Sequence, residues 1–439
     1  MQVIEKIEQF DKSRIHSTDE CFIVPILTDT EKHPLNNKLS LLYIESGIEE
    51  FMLCFDHSES LSLPIEYLDK LNFNKVYVSD KKRFTIDFDN VVDISMLYYL
   101  NTNSVLEFNF ESSTHTYFKR KYHRFSHINK LIPIYKHLDY CRKVVAKMKR
   151  VIEVCENTDV FEVYNNDVLG NLKFIESSGL YVDKEKIPIE YQRHIGQGNL
   201  VRTEYNPYTS TGRPSNKYGG INFGALNKSD GSREPFISRF DNGILVEMDY
   251  DAYHLRLIAD IIGYNFPDGS VHKYLGKQYG VDYDESKKLS FKYLYGGIPT
   301  NISSNIPFFK QVSEYIKKKW SEYNRSFSVK SDIYNRKISK KNLTDMNPNK
   351  LFNYLIQLNE TEYNMRMLTE LRSTLEPYKS KLVLYQYDSF LFDFCLDDGK
   401  QFIQDMKNTI EQSGKFPVSI AKGINYHEIK DITEKIKCM

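Results

Sequence analysis

Two aspartates in this 439-residue chain stand where a carboxylate needs a partner: Asp249 ends the apolar run GILVEMDY, and Asp388 lies inside KLVLYQYDSFLFDF. A charged group in such surroundings is stable only when it is hydrogen-bonded, ion-paired or bound to a metal. Carboxylates converging from two strands can hold two Mg²⁺ ions about 3.5 to 4 Å apart, an arrangement that stabilises both the attacking and the leaving oxygen of a phosphoryl displacement. Strand-end aspartates are also common turn residues, so either one alone carries little weight. Between them, DYDESKKLSFKYLYGG sets Lys287, Phe291 and Tyr295 at i, i+4 and i+8, one face of a helix. Such a face can hold a nucleoside triphosphate, the lysine on phosphate and the aromatics on base and sugar. The same spacing also describes an amphipathic surface helix with its aromatics turned inward.

These residues need strands and helices to bring them together. GILVEMDY reads as a buried strand with a charged tip, AYHLRLIADIIG as the helix after it, and KLVLYQYDSFLFDF as two short strands joined at Tyr387 to Ser389. Residues 282 to 295 and 308 to 320 carry helical spacing, and the Gly-, Asn-, Ser- and Thr-rich stretch from 205 to 235 reads as contacting loop. Upstream, Cys21 to Phe55 alternates strand and turn three times, which predicts an antiparallel sheet. LNFNKVYVSD adds a strand, while VVDISMLYYLNT and YKHLDYCRKVVAKMKRVIEVCE predict helices. A further helix is expected from about Asn157, closing on Gly179.

The length suggests about two to four structural units. With 41% hydrophobic and 27% charged residues, the composition excludes collagen-like and disordered chains. The 59 basic and 59 acidic residues cancel, so any nucleic-acid binding must be local. Cys21, Cys54, Cys141, Cys155, Cys395 and Cys438 show no CxxC spacing, which argues against a zinc knuckle or disulfide framework and for a reducing compartment. The first residues lack the apolar run of a signal peptide, and no run of about 18 apolar residues occurs. A cytoplasmic protein without membrane contact is expected, in the host cytoplasm if phage-encoded.

In order along the chain, these segments resemble the family A DNA polymerases, the group of bacterial DNA polymerase I and several phage replicative polymerases. LVEMDYDAYHLRLIAD is similar to motif A, which implies that Asp249 binds metal with the Tyr250 carbonyl beside it. KKLSFKYLYGG is similar to motif B on the fingers helix, implying that Lys287, Phe291 and Tyr295 face the dNTP. LYQYDSFLFDF is similar to motif C, with Asp388 as the second metal aspartate. TSTGRPSNKYGGINFGALN resembles the TGR loop, which implies that Arg213 touches the primer end. GSVHKYL sets His272 where the family has a phosphate-contacting histidine, and FNYLIQLNE keeps the spacing of an Asn and a Gln, here Asn353 and Gln357, that line primer and template. FPVSIAKGINYHEI resembles the closing strand and turn of the palm. The resemblance covers about residues 156 to 439.

The departures bear on mechanism. An arginine four residues before the motif B lysine is Tyr283 here, so triphosphate binding either weakens or leans on Lys288. The motif A glutamate that excludes a ribose 2′-OH is His254, whose imidazole either bonds to Tyr295 and blocks the sugar or admits ribonucleotides. Motif C reads Tyr387-Asp388-Ser389 in place of His-Asp-Glu.

The N-terminal part resembles the family's 3′ to 5′ exonuclease domain. YKHLD keeps its Tyr-x-x-x-Asp motif at Tyr135 and Asp139, but the second motif's aspartate falls at Arg83. The strand aligned with the first motif offers Ile26, Leu27 and Thr28, with DTE at 29 to 31 beyond its end. A lone Asp139 cannot hold two metals, so this domain is expected to be inactive. About 50 residues stand where the family inserts a helical thumb of about 100, so the thumb is expected to be vestigial. Grip on DNA would then fall to KRKYHR (119 to 124), RKVVAKMKR (142 to 150), KKK (317 to 319) and RKISKK (336 to 341), each of which also reads as a solvated face.

The expected fold is therefore α/β, an RNase H-like exonuclease-like domain (1–155) followed by a reduced right hand. Its parts would be palm with motif A and a vestigial thumb (156–262), fingers (263–350) and palm with motif C (351–439). The resemblance implies a DNA-directed DNA polymerase using two Mg²⁺ ions, dNTPs and primer-template DNA, assisted by a processivity or replisome partner. So trimmed a member fits a phage or other mobile replicon. The competing reading is a non-catalytic primer-template binding or replisome assembly subunit with a degenerate polymerase fold.

Overall fold

The computed structural model describes residues 1–13, 15, 20–29, 32–86, 88–108, 127–216 and 220–434. Two units are distinct, one built on Met1–Lys173 and the other on most of the chain from Phe174 onward.

Unit one holds a six-stranded mixed sheet in the order β1 (Gln2–Ile4), β4 (Glu49–Cys54), β3 (Leu39–Ser46), β2 (Glu20–Leu27), β5 (Lys75–Val78), β6 (Val91–Asp93). The strands β2, β3 and β4 pair antiparallel, the sheet expected from Cys21 to Phe55. The central β3, LSLLYIES, is buried along nearly its whole length, as a near-continuous apolar run requires. A short helix, α1 (Ile7–Lys12), follows β1. The segment VVDISMLYYLNT departs from the expected single helix: Val91–Asp93 joins the sheet beside β5, and α2 (Ile94–Thr102) begins only after it. Asp93 accepts the Met96 amide at 2.7 Å, and an aspartate cap fixes a helix start more strongly than two valines extend one. The long α3 (Ile134–Val154) lays Leu138, Cys141, Val144, Val145, Met148 and Val151 inward against β2, β3 and α2.

A helical run then passes through a π turn, Val163–Val168, into α4 (Leu169–Ser178) and stops at Gly179, whose φ is 61°. In unit two, β7 (Leu180–Val182), β8 (Leu200–Val201) and β9 (Phe236–Ile237) form a small sheet. The main sheet is antiparallel throughout and includes β10 (Gly243–Tyr250). Four helices follow it: α5 (Tyr253–Ile262), α6 (Val271–Tyr279), α7 (Tyr283–Gly296) and α8 (Thr300–Asn305). After α9 (Pro307–Ser326) come the hairpin β11 (Ser328–Lys330) and β12 (Lys337–Ser339), and the 28-residue α10 (Pro348–Leu375). The chain closes with β13 (Lys381–Gln386), β14 (Ser389–Cys395), α11 (Gly399–Glu411), β15 (Val418–Gly423) and β16 (Lys430–Asp431).

The main sheet order is β13, β14, β10, β15, β16. Helix α10 touches α5, α7, α9 and α11 and is buried through its centre, polar residues included. Leu255, Ile258, Leu275, Leu294, Phe308 and Phe352 form the apolar core that joins α5, α6, α7, α9 and α10. No described helix is long and apolar enough to cross a membrane.

Candidate active site

Strand register brings the two aspartates together. Asp249 pairs with Ser389 across β10 and β14, and the two-residue turn Tyr387-Asp388 precedes Ser389. The Tyr250 amide donates to the Asp388 carbonyl at 3.0 Å, so the hairpin turn and the end of β10 are tied. Because side chains alternate along a strand, Asp249 faces away from Tyr250, whose ring is buried and stacks on Tyr253 at 4.2 Å. Glu247 shares the Asp249 face, two residues back.

The electrostatics of this corner are in conflict. Burial, then the charges of Asp388 and Glu247, lift the Asp249 carboxyl from 3.8 to about 7. Asp388 is exposed by surface area at the hairpin tip, yet the protein packed around it and the Glu360 charge raise its carboxyl too. Glu247 is raised by burial, with Lys228 and Arg233 opposing. Lys287 only weakly offsets Asp249, and among the described residues no neighbouring side chain hydrogen-bonds to either aspartate. Unpartnered carboxylates that repel one another are what a divalent cation relieves. Among the described residues no group of three His, Cys, Asp or Glu side chains is set to hold a metal ion. Mg²⁺ fits a leaner donor set, since it is commonly bound by one or two carboxylates with water and substrate phosphate completing the shell.

Asp249 and Asp388 line a cleft of about 1590 Å³ together with Lys287, Phe291, His272 and Tyr283. The α7 stripe forms as its spacing requires, with Phe291 and Tyr295 rings 6.0 Å apart and nearly parallel. His272 is 2% exposed, its Nδ1 has no hydrogen-bond partner, and burial holds its imidazole below the ordinary histidine value. It therefore meets the cleft as a neutral group. Tyr283 packs edge-on against it at 5.8 Å. Lys288 is 76% exposed, lies 3.8 Å from Glu285 and does not line the cleft, whereas Lys273 does. Of the two alternatives for the missing arginine, this placement speaks against leaning on Lys288, which is one residue, about 100°, round the helix from Lys287.

The remaining expected residues gather around α10. Arg213 lies over the Tyr387 ring at 3.7 Å, and the Tyr295 hydroxyl bonds to His254 Nδ1. Asn353 donates to the Tyr295 carbonyl at 2.9 Å, fixing the last turn of α7. Gln357, one turn further along, is half-buried. Two residues that the motifs did not point to complete the group. Glu360 lies 3.2 Å from both Arg213 Nε and His254 Nε2. Asn364 accepts from the Tyr253 hydroxyl at 2.6 Å and donates to the Tyr385 hydroxyl at 2.9 Å and the Tyr387 carbonyl at 2.6 Å. Positions 353, 357, 360 and 364 repeat at helical spacing, one polar line on a helix that buries Asn359, Thr361 and Glu362 as well.

Several residues of the described basic clusters are paired within the fold. Lys319 pairs with Asp332 at 2.8 Å and is 9% exposed, and Arg336 is 1% exposed. In unit one, Arg142, Lys143 and Lys149 pair with Glu50, Asp139 and Glu45. KRKYHR and residues 30 and 31 of DTE lie outside the described residues, as does Cys438. Asp29 is 3% exposed just after β2, and Arg83 lies 3.9 Å from Asp80.

No protein-family model matches the chain, and no curated protein does. Among solved structures, it is similar to the POL domain of Pol1 from M. smegmatis in complex with DNA primer-template and dNTP. The TM-score is 0.67 at 12% identity, over 97% of this chain and 99% of that one. At that identity the likeness speaks for the fold, and the fold of this chain is that of a DNA polymerase domain.

Proposed function

We propose that the chain is a template-directed DNA polymerase that extends a primer 3′-OH with dNTPs. The observation that carries the reading is the meeting of Asp249 and Asp388, unpartnered and mutually repelling, with Lys287 and Phe291 in one cleft of a polymerase-like fold. Asp249, Asp388 and the Tyr250 carbonyl would hold Mg²⁺, which when bound supplies positive charge to the reacting oxygens and the phosphate. Lys287 pairs with the triphosphate, and neutral His272 donates a hydrogen bond to it. Phe291 and Tyr295 bound the base and sugar, His254 sets the Tyr295 hydroxyl, and Arg213 with Gln357 holds the primer end. Asn353 serves them by fixing α7. Catalysis of this kind rests on positioning and electrostatics rather than on a covalent intermediate.

In this reading residues 156–262 and 351–439 act as palm and 263–350 as fingers. Residues 1–155 are an exonuclease-like domain without exonuclease activity, supported by Asp139, which is exposed and paired with Lys143 at 2.8 Å. With a vestigial thumb, and with Arg142, Lys143, Lys149 and Lys319 in ion pairs, the chain works with a processivity partner.

The test is single-nucleotide primer extension with Mg²⁺ at low salt, wild type against Asp388→Ala. Extension by wild type and its loss by more than a hundredfold in the variant is the expected result. No extension by either, with primer-template binding intact, would favour a non-catalytic assembly subunit.

A further inference from the structure

Glu360 ends the FNYLIQLNE segment, where the resemblance gives a role to Asn353 and Gln357 but none to it, and it is 1% exposed at the centre of α10. Its Oε2 stands 3.2 Å from His254 Nε2 and 3.2 Å from Arg213 Nε, and its Oε1 accepts from Arg213 Nη2 at 3.4 Å. Neither approach to Oε2 is aligned as a hydrogen bond: Oε2, Arg213 Nε and His254 Nε2 are all buried without a hydrogen-bond partner. One carboxylate oxygen is therefore approached at ion-pair distance by two nitrogens from distant parts of the chain.

Each nitrogen leads to a different neighbour, His254 to Tyr295 and Arg213 to Tyr387. A carboxylate facing Nε2 favours the tautomer with the proton on that nitrogen, which leaves Nδ1 for the Tyr295 hydroxyl, to which it is bonded. Tyr295 stacks beside Phe291, two positions on the stripe that begins with Lys287. Arg213 instead lies over Tyr387, the residue before Asp388. A carboxylate is costly inside a protein unless it is paired. Glu360 is paired with a residue of the primer side and a residue of the sugar side.

We propose that Glu360 is a positioning residue for sugar discrimination: it orients His254 so that the Tyr295 hydroxyl is fixed against the 2′ side of the incoming nucleotide, while the same carboxylate holds Arg213 for the primer end. The proposal rests on the polymerase reading. It makes one carboxylate set two properties that separate substitutions would otherwise divide.

Glu360→Gln keeps the volume and removes the charge. Its ratio of rNTP to dNTP incorporation, as kcat/KM in single-nucleotide extension, should rise at least tenfold, and its KM for primer-template should rise severalfold. Tyr295→Phe should raise the ratio and leave the primer-template KM unchanged. Because Glu360 acts on the sugar through the Tyr295 hydroxyl, the double variant should show the ratio of Tyr295→Phe alone. An unchanged ratio in Glu360→Gln, or effects that multiply in the double variant as a merely structural role predicts, would overturn the proposal. If Glu360→Gln fails to fold by thermal melting, His254→Gln takes its place in the same cycle. A readout independent of catalysis is the Tyr295 Cζ resonance in ¹³C-tyrosine-labelled protein, assigned with Tyr295→Phe, which should move in Glu360→Gln. A wild type that incorporates no nucleotide would overturn the polymerase reading and with it the sugar role. An unmoved resonance in an active enzyme would overturn the Glu360 relay alone.

Discussion

Asp249→Asn should make the metal-free protein more stable while abolishing its proposed chemistry. The Asp249 carboxyl rises from 3.8 to about 7 on folding, through burial first and then the Asp388 and Glu247 charges. The native state thus holds this proton more tightly than the unfolded chain does. The stability it contributes is complete below about pH 4 and is lost as pH rises through about 7. Roughly three units at about 1.4 kcal/mol each set a ceiling of about 4 kcal/mol, and solvent access to the cleft reduces this to about 2 to 4 kcal/mol. Asparagine keeps the size and never ionises. With a chelator at pH 8.5, the variant should exceed wild type by that amount, a thermal midpoint shift on the order of 5 to 12 °C for a unit of this size. The gap should roughly halve by pH 5, where the unfolded wild type still gains by ionising, and vanish near pH 3.5. Millimolar Mg²⁺ should raise the wild-type midpoint and leave the variant nearly unchanged. Equal midpoints at pH 8.5, or a gap that does not depend on pH, would refute the electrostatic account of this corner.

Two further substitutions probe the frame and the cleft. Arg239 donates to Asp393 at 2.7 Å and to the Ser178 and Gly179 carbonyls at 3.0 and 2.6 Å. Arg239→Met strands a buried carboxylate and should cost about 3 to 5 kcal/mol in urea unfolding, with activity per folded molecule unchanged. Lys287→Ala should raise the dNTP KM at least tenfold in steady-state extension, whereas exposed Lys288 should tolerate alanine with less than a twofold change. Equal effects would mean that the triphosphate does not lie along the Lys287 stripe.

What the sequence revealed follows from the range of the interactions involved. The limits of β10 and α7 were legible because an apolar run and a helical period are local signals, and GILVEMDY forms the strand Gly243–Tyr250 residue for residue. The start of α2 was missed because Val91–Asp93 pairs with β5, a contact that periodicity within the segment does not report. The partners of the basic clusters were out of local reach for the same reason: Arg142 finds Glu50, 92 residues away, and Lys319 finds Asp332 in the hairpin loop between β11 and β12. Glu360 was invisible as a site residue because its partner Arg213 stands 147 residues upstream.

The polar stripe of α10 explains why so many separate motifs arrive at one place. Asn353 fixes the end of α7 through the Tyr295 carbonyl. Glu360 spans α5 and the loop carrying Arg213, and Asn364 ties α5 to the hairpin turn that presents Asp388. A helix with an apolar face in these positions would pack at lower electrostatic cost, but it would leave each element free to slide against the next. Buried polar groups that must all be satisfied admit few arrangements, and chemistry that depends on placement needs that restriction. In the polymerase reading, the departures from the family pattern are then linked rather than independent. There the sugar side, with histidine at position 254, lacks its own acid, and the acid is found one helix away, at Glu360, where it also meets Arg213. An exchange of that kind preserves a carboxylate near the Tyr295 hydroxyl while changing which element supplies it.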